Sequence, residues 1–210
     1  MAKKLNEGHL CLLKDYYTAH KVYQSMVEID EIVCDLLSEH VKDWVKKHLG
    51  DEWDGSYNWS KNSFLTVWKK SWLDKDTDKA LAYFWIGVDN ADENVFWVGH
   101  LLSLAQEPFK VAYCFEQMID TVGSKNEALK RTRVFADQIK GKYVEVSKKK
   151  NDLSFETSFL LDGATLAIAL KEEGQDLDLA FQPVTALLEE FKSYFAEIDT
   201  IVVEALKCRT

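Results

Sequence analysis

Ala80–Leu101, which reads ALAYFWIGVDNADENVFWVGHL, decides the fold, because its apolar residues alternate instead of recurring at helical spacing. Ala80, Ala82, Phe84, Ile86 and Val88 share one face of a first strand, and Val95, Trp97, Gly99 and Leu101 share one face of a second. The polar run Asp89-Asn90-Ala91-Asp92-Glu93-Asn94 separates them, so the segment predicts an antiparallel hairpin. A second hairpin is predicted around Asp162-Gly163, a pair suited to the positive-φ positions of a tight turn. Closing strands there sets Phe155 against Leu170, Thr157 against Ile168, Phe159 against Leu166 and Leu161 against Ala164, leaving Glu156 and Ser158 to point away. The competing reading makes Ala164–Lys171 a helix, since alanine, leucine and lysine favour one. Further strands are expected at Phe64–Trp72 and Phe109–Phe115, and a helix at about Lys125–Ile139.

Outside this region the period lengthens. Residues 9–48 hold no proline and no glycine, and Val22, Met26, Ile29, Val33, Leu36 and Trp44 follow helical spacing. One unbroken helix of that length would reach ~60 Å, more than a domain of this size is wide, so a break near Tyr16–Lys21 or projection from the body is expected. Gly50 should end it. Near the carboxyl terminus, Leu177, Phe181, Val184, Leu188, Phe191, Phe195, Ile198, Val202 and Ala205 alternate by four and three, a heptad seam. Pro183 belongs in the first turn of that helix, where its missing N–H is harmless. Leu187, Tyr194 and Ile201 widen the apolar face. The seam could pack inside the chain or form a homodimer interface.

These readings combine into one α+β domain over residues 1–210: an antiparallel sheet of about five to seven strands flanked by long N-terminal and C-terminal helices. Its parts are an N-terminal helical region at 9–48, a central sheet region at 62–171 and a C-terminal helix at 183–206. No linker rich in proline, glycine or serine and no internal repeat divides it.

Composition excludes several classes. The 210 residues are 47 % hydrophobic and 29 % charged with only two prolines, which rules out a disordered or low-complexity chain. The net charge of −9 opposes nucleic acid and anionic membrane unless bases are segregated. No apolar run approaches the ~18 residues of a membrane span, and the amino terminus lacks the apolar core of a secretory signal. Cys11, Cys34, Cys114 and Cys208 are far apart and form no C-x-x-C pair, so reduced, buried thiols in a cytoplasmic protein are expected.

Catalytic patterns are missing. No two glycines lie closer than five positions, which removes G-x-G-x-x-G, the P-loop and the G-x-S-x-G elbow. His9, His20, His40 and His48 lie on the N-terminal helix without H-x-x-x-H spacing, so they are expected at solvent or at an interface; His100 is expected as a satisfied core histidine. Asp74, Asp76 and Asp78 alternate as in a calcium loop, but Lys79 stands where its glycine belongs and Trp85 where its glutamate belongs. A solvated turn is the better account. No catalytic residue, metal or cofactor is therefore assigned.

Two segments carry binding potential. Residues 125–150 hold nine bases against three acids, whereas residues 151–210 hold four bases against twelve acids. Lys130, Arg131, Arg133, Lys140, Lys142, Lys148, Lys149 and Lys150 could neutralise the acidic end or contact phosphates. Within them, Glu145-Val146-Ser147-Lys148 carries a carboxylate and lysine of the type a metal-dependent nuclease uses, spaced by two residues where such sites use one, with no aspartate on a preceding strand. The second segment contains part of a tryptophan surplus, seven residues all between Trp44 and Trp97. Trp68, Trp85 and Trp97 fall in predicted strands and are expected in the core. Trp53, Tyr57 and Trp59 sit beside Asp51, Glu52 and Asp54 in a polar, glycine-containing stretch, which suits either a protein-contact loop or anchoring into the core. The resulting expectation is a non-enzymatic, acidic, cytoplasmic protein-binding protein of the inhibitor, immunity-factor or adaptor type, with a basic partner and a homodimer through the C-terminal helix both conceivable. The alternative is a nucleic-acid-binding protein or nuclease using residues 125–150.

Overall fold

The structure, a computed structural model, describes residues 7–59, 63–88, 96–102, 104, 107–114, 145–146, 154–171 and 177–207. Within these residues a six-stranded antiparallel sheet runs in the order β1-β2-β3-β4-β6-β5. Its strands are β1 (Trp53–Ser56), β2 (Leu65–Lys69), β3 (Tyr83–Gly87), β4 (Phe109–Cys114), β5 (Glu145–Val146) and β6 (Ser154–Phe159). The helices are α1 (Glu7–Lys14), α2 (Tyr16–His48), α3 (Trp97–Leu101), α4 (Gly163–Lys171), α5 (Leu177–Ala180), α6 (Gln182–Lys192) and α7 (Phe195–Lys207). The α+β class follows.

Alternation builds the sheet's inner face. Leu65 and Val67, Phe84 and Ile86, and Phe109, Val111 and Tyr113 are all buried on it. Against them pack the C-terminal helices: the Phe84 ring lies 3.9 Å from Tyr113 and 5.0 Å from Phe195, and Tyr113 lies 5.0 Å from Phe191. Polar anchors fix this layer. Asp199 of α7 accepts from the Trp72 indole at 2.8 Å and from Lys69 at 3.1 Å, and the Tyr113 hydroxyl donates to the Phe191 carbonyl at 3.0 Å.

Both predicted hairpins need correction. Of the strand expected at Val95–Leu101, Val95 lies outside the described residues and Trp97–Leu101 is the helix α3, whose Gly99, His100 and Leu101 are buried together. Alternation over four positions was too short to exclude a helical turn, and a distant residue decides it: Asp30 of α2 accepts the Val98 N–H at 2.7 Å and so caps a helix with no side-chain cap of its own. Likewise Asp162-Gly163 opens the helix α4 and is not a tight turn. Asp162 accepts the backbone N–H and the hydroxyl of Thr165, each at 2.7 Å, which is the N-cap arrangement. The competing helical reading of Ala164–Lys171 holds, with Leu166 and Ala169 on the buried side and Ile168 exposed. The partners of β6 are β4 and β5.

Other elements shift less. The strand expected at Phe64–Trp72 is β2 followed by a 3-10 turn at Lys70–Trp72, and that at Phe109–Phe115 is β4. The sheet begins earlier than residue 62, because the Trp53–Ser56 stretch pairs with β2 as β1. The N-terminal break falls at Asp15, which accepts from the Thr18 N–H at 3.3 Å, and Gly50 follows α2 with φ of +73° as a helix stop requires. The single C-terminal helix is two helices, with the turn at Ser193 and Tyr194 between them. Its seam packs largely inside the chain: Phe181, Val184, Leu188, Phe191, Ile198 and Val202 are all buried. The helix expected at Lys125–Ile139 lies outside the described residues.

Candidate interaction surface

The tryptophans change places relative to expectation. Trp59 is 4 % exposed, stacked on Phe109 at 5.1 Å and edge-on to Trp97 at 5.2 Å. Trp53 packs between Phe195 at 4.4 Å and Trp72 at 5.1 Å, and burial raises the Tyr57 hydroxyl above the usual tyrosine range. The stretch is therefore anchored by its aromatics, and only Asp51, Glu52, Asp54 and Asn58 are exposed. Trp68 and Trp85, expected inside, lie on the sheet's outer face, where with Phe64, Leu73 and Tyr83 they line a groove of about 470 Å³. The error has a simple cause: alternation assigns residues to two faces but does not say which is covered. Gly87 serves this outer face, since a Cβ there would come 2.6 Å from the Trp85 ring.

The basic candidates Lys130, Arg131, Arg133, Lys140, Lys142, Lys148, Lys149 and Lys150 lie outside the described residues, and Glu145 pairs in register with Glu156 at the sheet edge. Asp74 closes its own turn, accepting from the Asp76 N–H at 2.9 Å and the Thr77 hydroxyl at 2.8 Å. Among the described residues no cluster of histidine, cysteine and carboxylate has the arrangement of a metal site.

The histidines sort by position along α2. His20 stacks on Tyr16 at 6.1 Å on an exposed stretch. His40 and His48 face the C-terminal helices, His40 bonding Thr185 at 2.9 Å and lying 3.7 Å from Asp178, His48 lying 3.4 Å from Glu189. Burial lowers the His40 pKa despite the opposing charge of Asp178. His100 is buried in α3, its Nδ1 2.6 Å from the Glu107 carbonyl, which makes Nδ1 the protonated nitrogen; its buried Nε2 has no hydrogen-bond partner among the described residues.

The projection from the body expected from the helix's length takes the form of a division of α2. From Val33 onward its apolar stripe is core: Val33, Cys34, Leu37, Val41, Trp44 and Val45 are buried. Before Val33, no described residue of α1 or α2 is buried, although the same apolar periodicity continues. Val22, Tyr23, Met26, Ile29 and Ile32 are 45–58 % exposed, and Leu10, Leu12, Leu13, Tyr16 and Tyr17 are more than two-fifths exposed. The body touches this arm near its base, through the Tyr23–Phe96 ring contact at 5.8 Å and the Asp30 cap on α3. Beside the base lies a hollow of about 440 Å³ lined by Asp30, Glu31, Cys34, Asp35, Trp59, Ser63 and Trp97. Burial raises the Asp30 pKa, while the N–H groups of Val98 and Trp97 oppose that rise. The arm is chemically divided: its far part carries Lys14 and Lys21, whereas from Val22 to Ile32 it carries Glu28, Asp30 and Glu31 and no lysine or arginine. A signal for this surface existed in the length of the helix, which exceeds what the body can cover.

Compared with protein-family models, curated proteins and solved structures, the chain matches none. No helix among the described residues is long and apolar enough to cross a membrane. The functional reading therefore rests on the arm and its surroundings alone.

Proposed function

We propose that this chain is a non-enzymatic protein-binding protein, cytoplasmic and of the inhibitor, immunity-factor or adaptor type, that takes its partner along the α1–α2 arm. The observation that carries the reading is the uncovered apolar stripe. Val22, Ile29, Ile32 and the tyrosines are weaker helix formers than alanine, so local propensity contributes little to this segment. A partner laid along the stripe removes that apolar surface from water and supports the helix, as amphipathic helices do when their face is covered. The acids along the arm select a partner with bases at its contact edge.

The test is capture of partners by the full chain, wild type against a variant carrying Val22→Glu and Ile29→Glu. Both positions are exposed, so folding measured by circular dichroism should be unchanged while specific capture is lost; capture at wild-type level would overturn the reading. Salt should weaken the wild-type interaction, since charge pairs at an exposed edge are screened. The nucleic-acid alternative retains the nine bases of residues 125–150 as its support, and a gel shift at low salt abolished by replacing Lys130, Arg131 and Arg133 with alanine would favour it.

A further inference from the structure

We infer that the polypeptide the arm receives is a second copy of this chain, paired antiparallel along the N-terminal half of α2. This deepens the reading above and rests on it. Along α2, Lys21, Glu28 and Asp35 recur at intervals of seven, a base followed by two acids. Seven residues is close to two helical turns, so within α2 these three form one row. Parallel, in-register pairing would set like charges at the same height. Antiparallel pairing reverses the row: Lys21 of each copy meets Glu28 of the other.

The same register matches apolar groups. With Lys21 level with Glu28 of the second copy, Tyr23 stands level with its Met26 and Tyr17 with its Ile32, all of which are exposed in the single chain. The charges are available for the exchange. Glu28 has no ion-pair partner among the described residues, and Lys21 rests over the Tyr17 ring at 4.6 Å without an ion pair there. Each cross-chain pair is individually weak, but the two-fold axis makes every pair occur twice, and the charge order sets the direction of pairing more than its strength. The C-terminal seam packs largely within the chain.

Sedimentation equilibrium of the full chain tests this with Lys21→Glu, Glu28→Lys and the double variant. The wild type should be a reversible dimer. Each single swap places like charges opposite one another twice per dimer and should weaken self-association roughly tenfold. The double variant restores opposite charges and should return to within about threefold of wild type, and an equimolar mixture of the two single variants should form a heterodimer more tightly than either associates alone. A wild type that stays monomeric, or a dimer indifferent to the swaps, would overturn the inference. Its failure is separable from failure of the functional reading: a monomer that still captures a different protein, and loses it with Val22→Glu and Ile29→Glu, removes the second copy as occupant and leaves the arm as the binding surface.

Discussion

The two halves of α2 belong to one helix and one apolar stripe but have opposite surroundings. From Val33 to Val45 the stripe is closed by the sheet and the C-terminal helices, while from Tyr16 to Ile32 it faces solvent. The comparison teaches that a helix's periodicity records that its face will be covered without recording by what. In the buried half the cover belongs to the chain itself, and each fully buried side chain contributes about 1.5–3 kcal/mol relative to exposure. In the exposed half the same residue types contribute little to the stability of the isolated fold, which leaves them available for association.

The largest effect should come from matched truncations in the two halves. Leu37→Ala, at a fully buried position, should cost about 2–5 kcal/mol in chemical denaturation, whereas Ile29→Ala should stay within about 0.5 kcal/mol when the protein is dilute. Equal costs would break the distinction. A smaller loss, about 1 kcal/mol, is expected for Asp30→Ala, because α3 then loses its cap, and Asp30→Asn should recover most of it by keeping an acceptor. If Asp30→Ala is silent in denaturation, the junction between arm and body is not held by that bond.

The thiols sharpen the comparison chemically. Cys11 on the arm is exposed, whereas Cys34 is buried, its pKa pushed up by burial and by the nearby charges of Asp30 and Asp35. Alkylation of the native protein followed by peptide mapping should label Cys11 at least roughly tenfold faster than Cys34. Comparable rates would mean that the buried half opens readily.

The smallest effect is the response to pH at the far end of α2. Burial lowers the His40 pKa, so the unfolded chain binds this proton more readily than the folded one. Stability from this group is complete above its unfolded value near 6.5 and falls as pH drops toward the folded value. Asp178 and Asp43 oppose the shift by favouring the charged ring, and Thr185 holds the ring at 2.9 Å. The melting temperature should therefore decline between pH 7.5 and pH 5, and His40→Gln should flatten part of that decline. An identical slope in the variant would place the pH dependence elsewhere.

Much of the fold was legible because alternation is a local signal. The positions of β2, β3 and β4 and the long N-terminal helix follow from residues that lie close together in sequence, whereas the pairing of β3 with β4, in place of the expected hairpin with Val95–Leu101, does not. The two mistaken hairpins share a cause. Asp162 looked like a turn residue and is a cap, a choice settled by Thr165 three positions on; Trp97–Leu101 alternates but is held helical by Asp30, 68 positions away. The C-terminal helix divides at Ser193, where its side chain and backbone N–H both bond the Glu190 carbonyl, a substitution of local bonds for helical ones that periodicity does not register. The aromatic stretch Trp53–Trp59 was legible as a choice between surface and core, and packing against Phe109, Phe195 and Trp72 resolves it inward. The arm was legible only as excess length.

Hydrogen exchange along α2, followed by mass spectrometry over a range of protein concentrations, tests the central claim most directly. Amides of residues 33–45 should belong to the slowest class at every concentration. Those of residues 20–32 should exchange quickly in dilute solution and slow progressively as the chain is concentrated and the stripe becomes covered. Exchange in residues 20–32 that is slow even at high dilution, or that stays fast at every concentration, would contradict an arm whose apolar face is completed by a second copy.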